Sequence, residues 1–70
     1  MKYAVAFEKA ADNYAAYVPD LPGCVATGST REEVEREIRE AMAFHLDGLR
    51  QERLPIPEPS AWTGLVDAPA

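Results

Sequence analysis

The chain has 70 residues, 47% of them hydrophobic, and a formal net charge of −5 at pH 7, with a pI near 4.6. This length allows one domain with a modest core, and the acidity argues against unaided binding to nucleic-acid phosphates, which needs clustered Lys and Arg. Cys24 is the only cysteine, so an internal disulfide framework is excluded and a reducing, cytoplasmic compartment fits best; no secretory signal opens the chain and no apolar run reaches transmembrane length.

Residues 2–8 alternate, with Tyr3, Val5 and Phe7 on one face and Ala4 and Ala6 on the other, which predicts a first strand. Lys9 to Asn13 reads as a hairpin loop, because Asp12 and Asn13 tolerate turn geometry. A second strand is expected over 14–18, with Tyr14, Ala16 and Val18 facing one way and Ala15 and Tyr17 the other. The stretch Val18-Pro19-Asp20-Leu21-Pro22-Gly23-Cys24 should be a rigid, shaped connection. Its prolines fix φ and lack N–H donors, Val18 and Leu21 are pushed to extended backbone, and Gly23 takes positive φ at little cost. Leu21 should be tucked in and Asp20 exposed. A third strand follows over 24–28, ended by Gly28.

Thr30-Arg31-Glu32-Glu33 fits a capping box and predicts a helix over about 30–52, with Ser29 and Glu32 fitting one residue earlier. Its apolar stripe is Val34, Ile38, Ala41, Met42, Leu46 and Leu49. Leu54-Pro55-Ile56-Pro57-Glu58-Pro59 must be an extended, proline-rich exit over 54–59. Residues 61–66 hold a candidate fourth strand around Trp62-Thr63-Gly64-Leu65-Val66. The chain is therefore expected to be a single α+β domain over 1–70. It should have a three- to four-stranded antiparallel sheet with one helix packed on one face, in the order β-β-β-α-β. One helix covers one face only, yet Tyr17 and Val25 make the other face apolar too. That face or an edge strand should therefore support self-association.

The motifs also carry a resemblance. Tyr17-Val18-Pro19-Asp20-Leu21-Pro22-Gly23-Cys24, with Ala26-Thr27-Gly28-Ser29-Thr30-Arg31-Glu32-Glu33, is similar to the central signature of the HicB-type antitoxins. Tyr3 to Glu8 resembles that family's first strand. Ala43-Phe44-His45-Leu46-Asp47-Gly48-Leu49 and then Leu54 to Pro59 resemble its helix end and proline-rich exit. The ordered match spans about residues 2–60. It implies a partial ribonuclease-H-like fold, assembly as a dimer or tetramer, and a partner, the small mRNA-cleaving toxin HicA. The antitoxin would silence that toxin by occlusion, with no cofactor. A standalone HicB-like binding or scaffold domain without a paired toxin is the alternative. Many HicB proteins also carry a C-terminal DNA-binding module. This chain ends about ten residues after Pro59, too soon for one, so no direct nucleic-acid binding is expected from it alone.

The resemblance does not imply an enzyme. Two-metal nucleases need several converging carboxylates, but Glu8 lies at a strand end, Asp12 and Asp20 lie in loops, and the helical glutamates read as a solvated face. His45 falls on the apolar stripe and reads as a packed residue; with no second histidine, no metal or catalytic site is expected. Cys24 reads as a small buried hydrophobe. The candidate partner contacts are Asp20, Glu33, Glu37 and Glu40. Tyr17, Pro19, Leu21, Pro22, Gly23, Cys24 and His45 match the family motif and read as structural.

Overall fold

The computed structural model describes residues 1–69. Strands β1 (Ala6–Lys9), β2 (Tyr14–Tyr17) and β3 (Val25–Gly28) precede one helix, α1 (Arg31–Gln51). The strands form one antiparallel sheet in the order β1-β2-β3. This is the expected α+β arrangement, and β2, β3 and α1 begin and end within one residue of the predicted bounds.

Register assigns the two faces. Phe7 lies opposite Ala16, and Ala16 opposite Ala26, with Tyr14 opposite Gly28; these residues share the face under α1. The core is Ala16, Val18, Leu21, Cys24, Val34 and Ile38, with Tyr3, Val5, Tyr14, Ala26, Ala41, Met42 and Leu46 packed against it. The opposite face carries the cross-strand row Ala6–Tyr17–Val25. There Tyr17 is 44% and Val25 64% exposed, so this row of the uncovered face is apolar as expected, while the next row, Glu8–Ala15–Thr27, is mixed.

The proline-rich stretch folds as two consecutive turns. The Leu21 N–H donates to the Val18 carbonyl and the Cys24 N–H to the Leu21 carbonyl, each at 3.0 Å; the Val18 N–H closes the loop on the Cys24 carbonyl at 3.1 Å. Pro19 and Pro22 each take the second position of a turn, where their fixed φ fits. Gly23 follows Pro22 with φ +84°, the left-handed third position of a type II turn. The double turn points Leu21 inward until none of its surface is exposed.

α1 starts as the sequence predicts. Thr30 is the N-cap, and its hydroxyl accepts the Glu33 N–H at 3.0 Å. Glu32 and Glu33 sit in the positive first turn and Arg50 in the negative last one. The helix ends in a Schellman motif. The Leu54 N–H donates to the Leu49 carbonyl at 2.8 Å and the Arg53 N–H to the Arg50 carbonyl at 3.1 Å. Arg53 takes the left-handed position (φ 58°) more often given to glycine. Pro55 then prevents any continuation.

Two expectations are corrected. Residues 2–5 were expected within the first strand, but β1 begins at Ala6, opposite Tyr17. Beyond Tyr17 the partner chain turns into Val18-Pro19, so residues 2–5 have packing but no ladder. Residues 61–66 form no strand. Trp62, Leu65 and Val66 are 87%, 105% and 91% exposed. The molecule measures 47 Å along its major axis and has a radius of gyration of 13.7 Å, against about 11 Å for a compact chain of this length.

Candidate partner-binding surface

α1 lies across β3 and β2 and makes no close approach to β1. Its two flanks are therefore both accessible, and they differ in chemistry. One flank faces the uncovered inner side of β1. There Val5, Phe7, Ile38 and Met42 line a groove with Glu35 and Arg39. The groove continues past Phe7 to Tyr14, Val34, Arg31 and Lys9 in a cavity of about 400 Å³. Phe7 stays 48% exposed although it belongs to the core-facing side of the sheet.

The other flank is acidic. Glu33, Glu37, Glu40, Phe44 and Asp47 follow one another at alternating spacings of four and three residues, which stacks them on one side of a helix. Glu33 and Glu37 are half-buried and Glu40 is exposed. Phe44 projects from among them, 83% exposed. The structure thus brings three of the four sequence-predicted contacts together. It adds an aromatic that the sequence reading treated only as part of a motif. The available signal was position, since Phe44 falls off the apolar stripe that explains Val34, Ile38 and Leu46.

Asp20, the fourth predicted contact, is separate from that flank and does not stand free. Its carboxylate accepts hydrogen bonds from the Ser60 N–H at 2.9 Å, the Ser60 hydroxyl at 2.7 Å and the Ala61 N–H at 3.0 Å. Tyr3 supports the same clasp, its hydroxyl donating to the Pro57 carbonyl at 2.6 Å. Together these bonds tie the proline-rich exit back to the double turn and the start of the chain. The Ala61 N–H, then the Ser60 hydroxyl and N–H, hold the Asp20 carboxyl below its ordinary value of 3.8.

A carboxylate with a depressed value contributes stability above its unfolded pKa and loses it as pH falls through the folded one. In an NMR titration, the Ser60 and Ala61 amide signals should therefore move together in one step with a midpoint below 3.8. In Asp20→Ala that step should vanish, and the backbone from Ser60 onward should gain fast motion. A wild-type midpoint at or above 3.8 would remove the clasp.

The motif residues serve the frame. Pro19, Pro22 and Gly23 shape the double turn, Leu21 and Cys24 fill the core, and Tyr17 lies on the outer sheet face. Burial pushes the Cys24 thiol up, away from a reactive thiolate. His45 is half-buried on the inward side of α1. Among the described residues, no group of three or more His, Cys, Asp or Glu side chains converges to hold a metal ion. No helix there is long and apolar enough to cross a membrane.

Comparison with known proteins adds the following. The family model described as the HicB_like antitoxin of bacterial toxin-antitoxin system matches residues 3–70. A 14.9 kDa protein from the rep–hol intergenic region of Haemophilus phage HP1 is 36% identical over 58 residues, 83% of this chain and 44% of the phage protein. A UPF0150 protein of Thermoplasma acidophilum is 37% identical over 62 residues, 87% of this chain and 90% of the relative. Antitoxin HicB 2 of Photorhabdus laumondii is 34% identical over 71 aligned positions, 100% of this chain and 51% of the relative. The chain thus spans about half or less of the phage and Photorhabdus proteins and nearly all of the archaeal one. Among solved structures, a chain of the HicA3 and HicB3 toxin-antitoxin complex superposes with a TM-score of 0.72 at 30% identity, covering 84% of this chain and 70% of that one.

Proposed function

The chain belongs to the HicB-like antitoxin family, and we propose that it binds a HicA-type toxin and silences it by covering the surface that meets messenger RNA. The observation that carries this reading is the likeness, in sequence as well as fold, to a chain of a toxin–antitoxin complex. Occlusion needs no cofactor and no catalytic group on the antitoxin. An RNA-cleaving partner must attract phosphates, so its working surface is expected to be basic. The net charge of −5 on this chain is complementary to that surface. The acidic flank of α1 supplies the contact: Glu33, Glu37 and Glu40 steer the encounter, and Phe44 anchors the docked state in an apolar pocket of the toxin. Asp20 acts indirectly, by fixing the exit segment.

The test is co-expression with a HicA-type toxin, sought as a short basic reading frame next to the gene for this chain. A stable complex and relief of toxin-induced growth arrest are expected. Glu33→Lys/Glu37→Lys/Glu40→Lys should slow association by about 10-fold or more at low salt, with the difference shrinking as salt screens the charges. Phe44→Ala should instead speed dissociation, by about 30-fold if it is a hot spot. No complex and no rescue would leave a binding domain without a paired toxin.

A further inference from the structure

β3 ends the strand order β1-β2-β3, so among the described residues no strand pairs with its far side. The ladder shows which backbone groups are left there. The Val18 N–H donates to the Cys24 carbonyl, and hydrogen-bonded pairs alternate along an antiparallel ladder. Val18–Cys24, Ala16–Ala26 and Tyr14–Gly28 are therefore the bonded pairs, and Ala15–Thr27 and Tyr17–Val25 are not. Val25 and Thr27 turn their N–H and C=O groups away from β2, toward the open side, and both residues are exposed.

The acidic flank of α1 stands over this edge. Glu35, Arg39 and Met42 face β1 across the groove. Glu33, Glu37 and Glu40 lie about half a turn round the helix from them, which puts them on the β3 side. The two elements are close there: a Cβ on Gly28 would meet the backbone of Glu33 and Val34 at 2.7 to 3.1 Å. We propose that β3 takes up an extended segment of the toxin as a fourth strand, with the segment's basic side chains against Glu33, Glu37 and Glu40. This rests on the toxin reading above and adds how the partner is held, by backbone pairing as well as by charge.

Dimensions, pattern and charge agree on that occupant. Glu33 to Glu40 cover about 10 Å of helix, and Val25 to Gly28 cover about 10 Å of strand. Side chains of an added strand alternate between the two faces. Those on the α1 side meet the glutamates, and those on the other side extend the row Ala6–Tyr17–Val25. The segment that fits therefore alternates Lys or Arg with apolar residues. Charge also selects this edge over β1, where Lys9, Arg31 and Arg39 outnumber Glu8 and Glu35 and a cationic strand gains nothing.

Amide hydrogen exchange, measured on the chain alone and bound to a catalytically dead HicA-type toxin, reads the pairing directly. The Val25 and Thr27 amides should exchange fast in the free chain and be slowed by about 100-fold or more in the complex. The Ala10 N–H on the Asn13 carbonyl sets the phase of the β1 ladder in the same way, so Phe7 and Lys9 point outward at the other edge. Their amides should not respond to the toxin. Thr27→Pro removes one outward N–H and leaves the β2 ladder intact, as edge strands allow; it should weaken the complex by about 10-fold. Thr27→Ala keeps the backbone and should bind as wild type does. If Thr27→Pro does not fold, the exchange rates of the wild-type chain still decide. No complex at all would remove the toxin reading and this inference with it. A stable complex in which Val25 and Thr27 stay fast, or in which Phe7 and Lys9 slow instead, would overturn the strand addition and leave the toxin reading standing.

Discussion

Leu21→Ala should lower stability by about 3–5 kcal/mol, the cost of emptying a fully buried leucine site. A 70-residue chain has only about 3.5–10 kcal/mol in total, so much of the population should be unfolded in water at 25 °C. Relaxation has little scope to soften the loss. Leu21 hangs from a double turn whose carbonyl and N–H groups are bonded on both sides, and the prolines cannot swing the backbone inward to close the hole. Leu21→Met keeps the volume and should cost under about 1.5 kcal/mol. Circular dichroism during a urea titration at fixed protein concentration checks this, because α1, at 21 residues, is the longest element. An alanine variant within 1 kcal/mol of wild type, an order-of-magnitude threshold set by the transfer of a single methylene, would mean that Leu21 is not the keystone of the core. The functional consequence is direct: Val34 and Ile38 pack in the same cluster, so the acidic flank of α1 loses its orientation with them.

Legibility in the sequence divides along a physical line. Local rules worked wherever the cause was local. Thr30 and Glu33 marked the helix start because a cap needs only three residues of spacing, and the hydroxyl does accept the Glu33 N–H. Alternation put Tyr14, Ala16 and Val18 on one face because a strand has period two, and the core does lie on that face. The prolines and Gly23 implied a turn with Leu21 inside, and the backbone bonds form it.

What failed depended on partners far along the chain. Tyr3 and Val5 do pack inward, so the alternation reported burial correctly; it could not report that β2 stops at Tyr17 and leaves them without a ladder. Asp20 read as an exposed contact because nothing local bonds it, whereas its three donors lie 40 and 41 residues away. Trp62 to Val66 had strand-like residues, but a strand is a property of a pair, and no strand forms there. The offset of α1 over β3 and β2 is set by side-chain packing between layers, so the groove beside β1 was not legible from periodicity. The candidate site was half visible: Glu33, Glu37 and Glu40 share a flank as expected, and Asp20 does not join them.

Gly28→Ala should be the most damaging small substitution outside the leucine site. A Cβ there would sit 2.7 Å from the Val34 nitrogen, 3.0 Å from its Cα and 3.1 Å from the Glu33 carbonyl carbon. All three are backbone atoms in the first turn of α1, held by the Thr30 cap and by the Val34 N–H on the Thr30 carbonyl at 3.0 Å. Nothing flexible can yield, so either the helix lifts from β3 or the cap breaks. The expected cost is about 3 kcal/mol.

The same substitution elsewhere isolates the cause. Gly48, inside α1, has nothing within 4 Å of an added Cβ. Gly48→Ala should therefore gain about 0.8–1 kcal/mol from helix propensity alone. Urea midpoints for the two variants should move in opposite directions from wild type. If Gly28→Ala moved with Gly48→Ala, the close approach of β3 and α1 would not exist in solution. If it destabilises as expected, lifting α1 must also change the gap between Phe7 and Met42. Toxin binding through the acidic flank of that helix should then weaken in a variant that does not touch it.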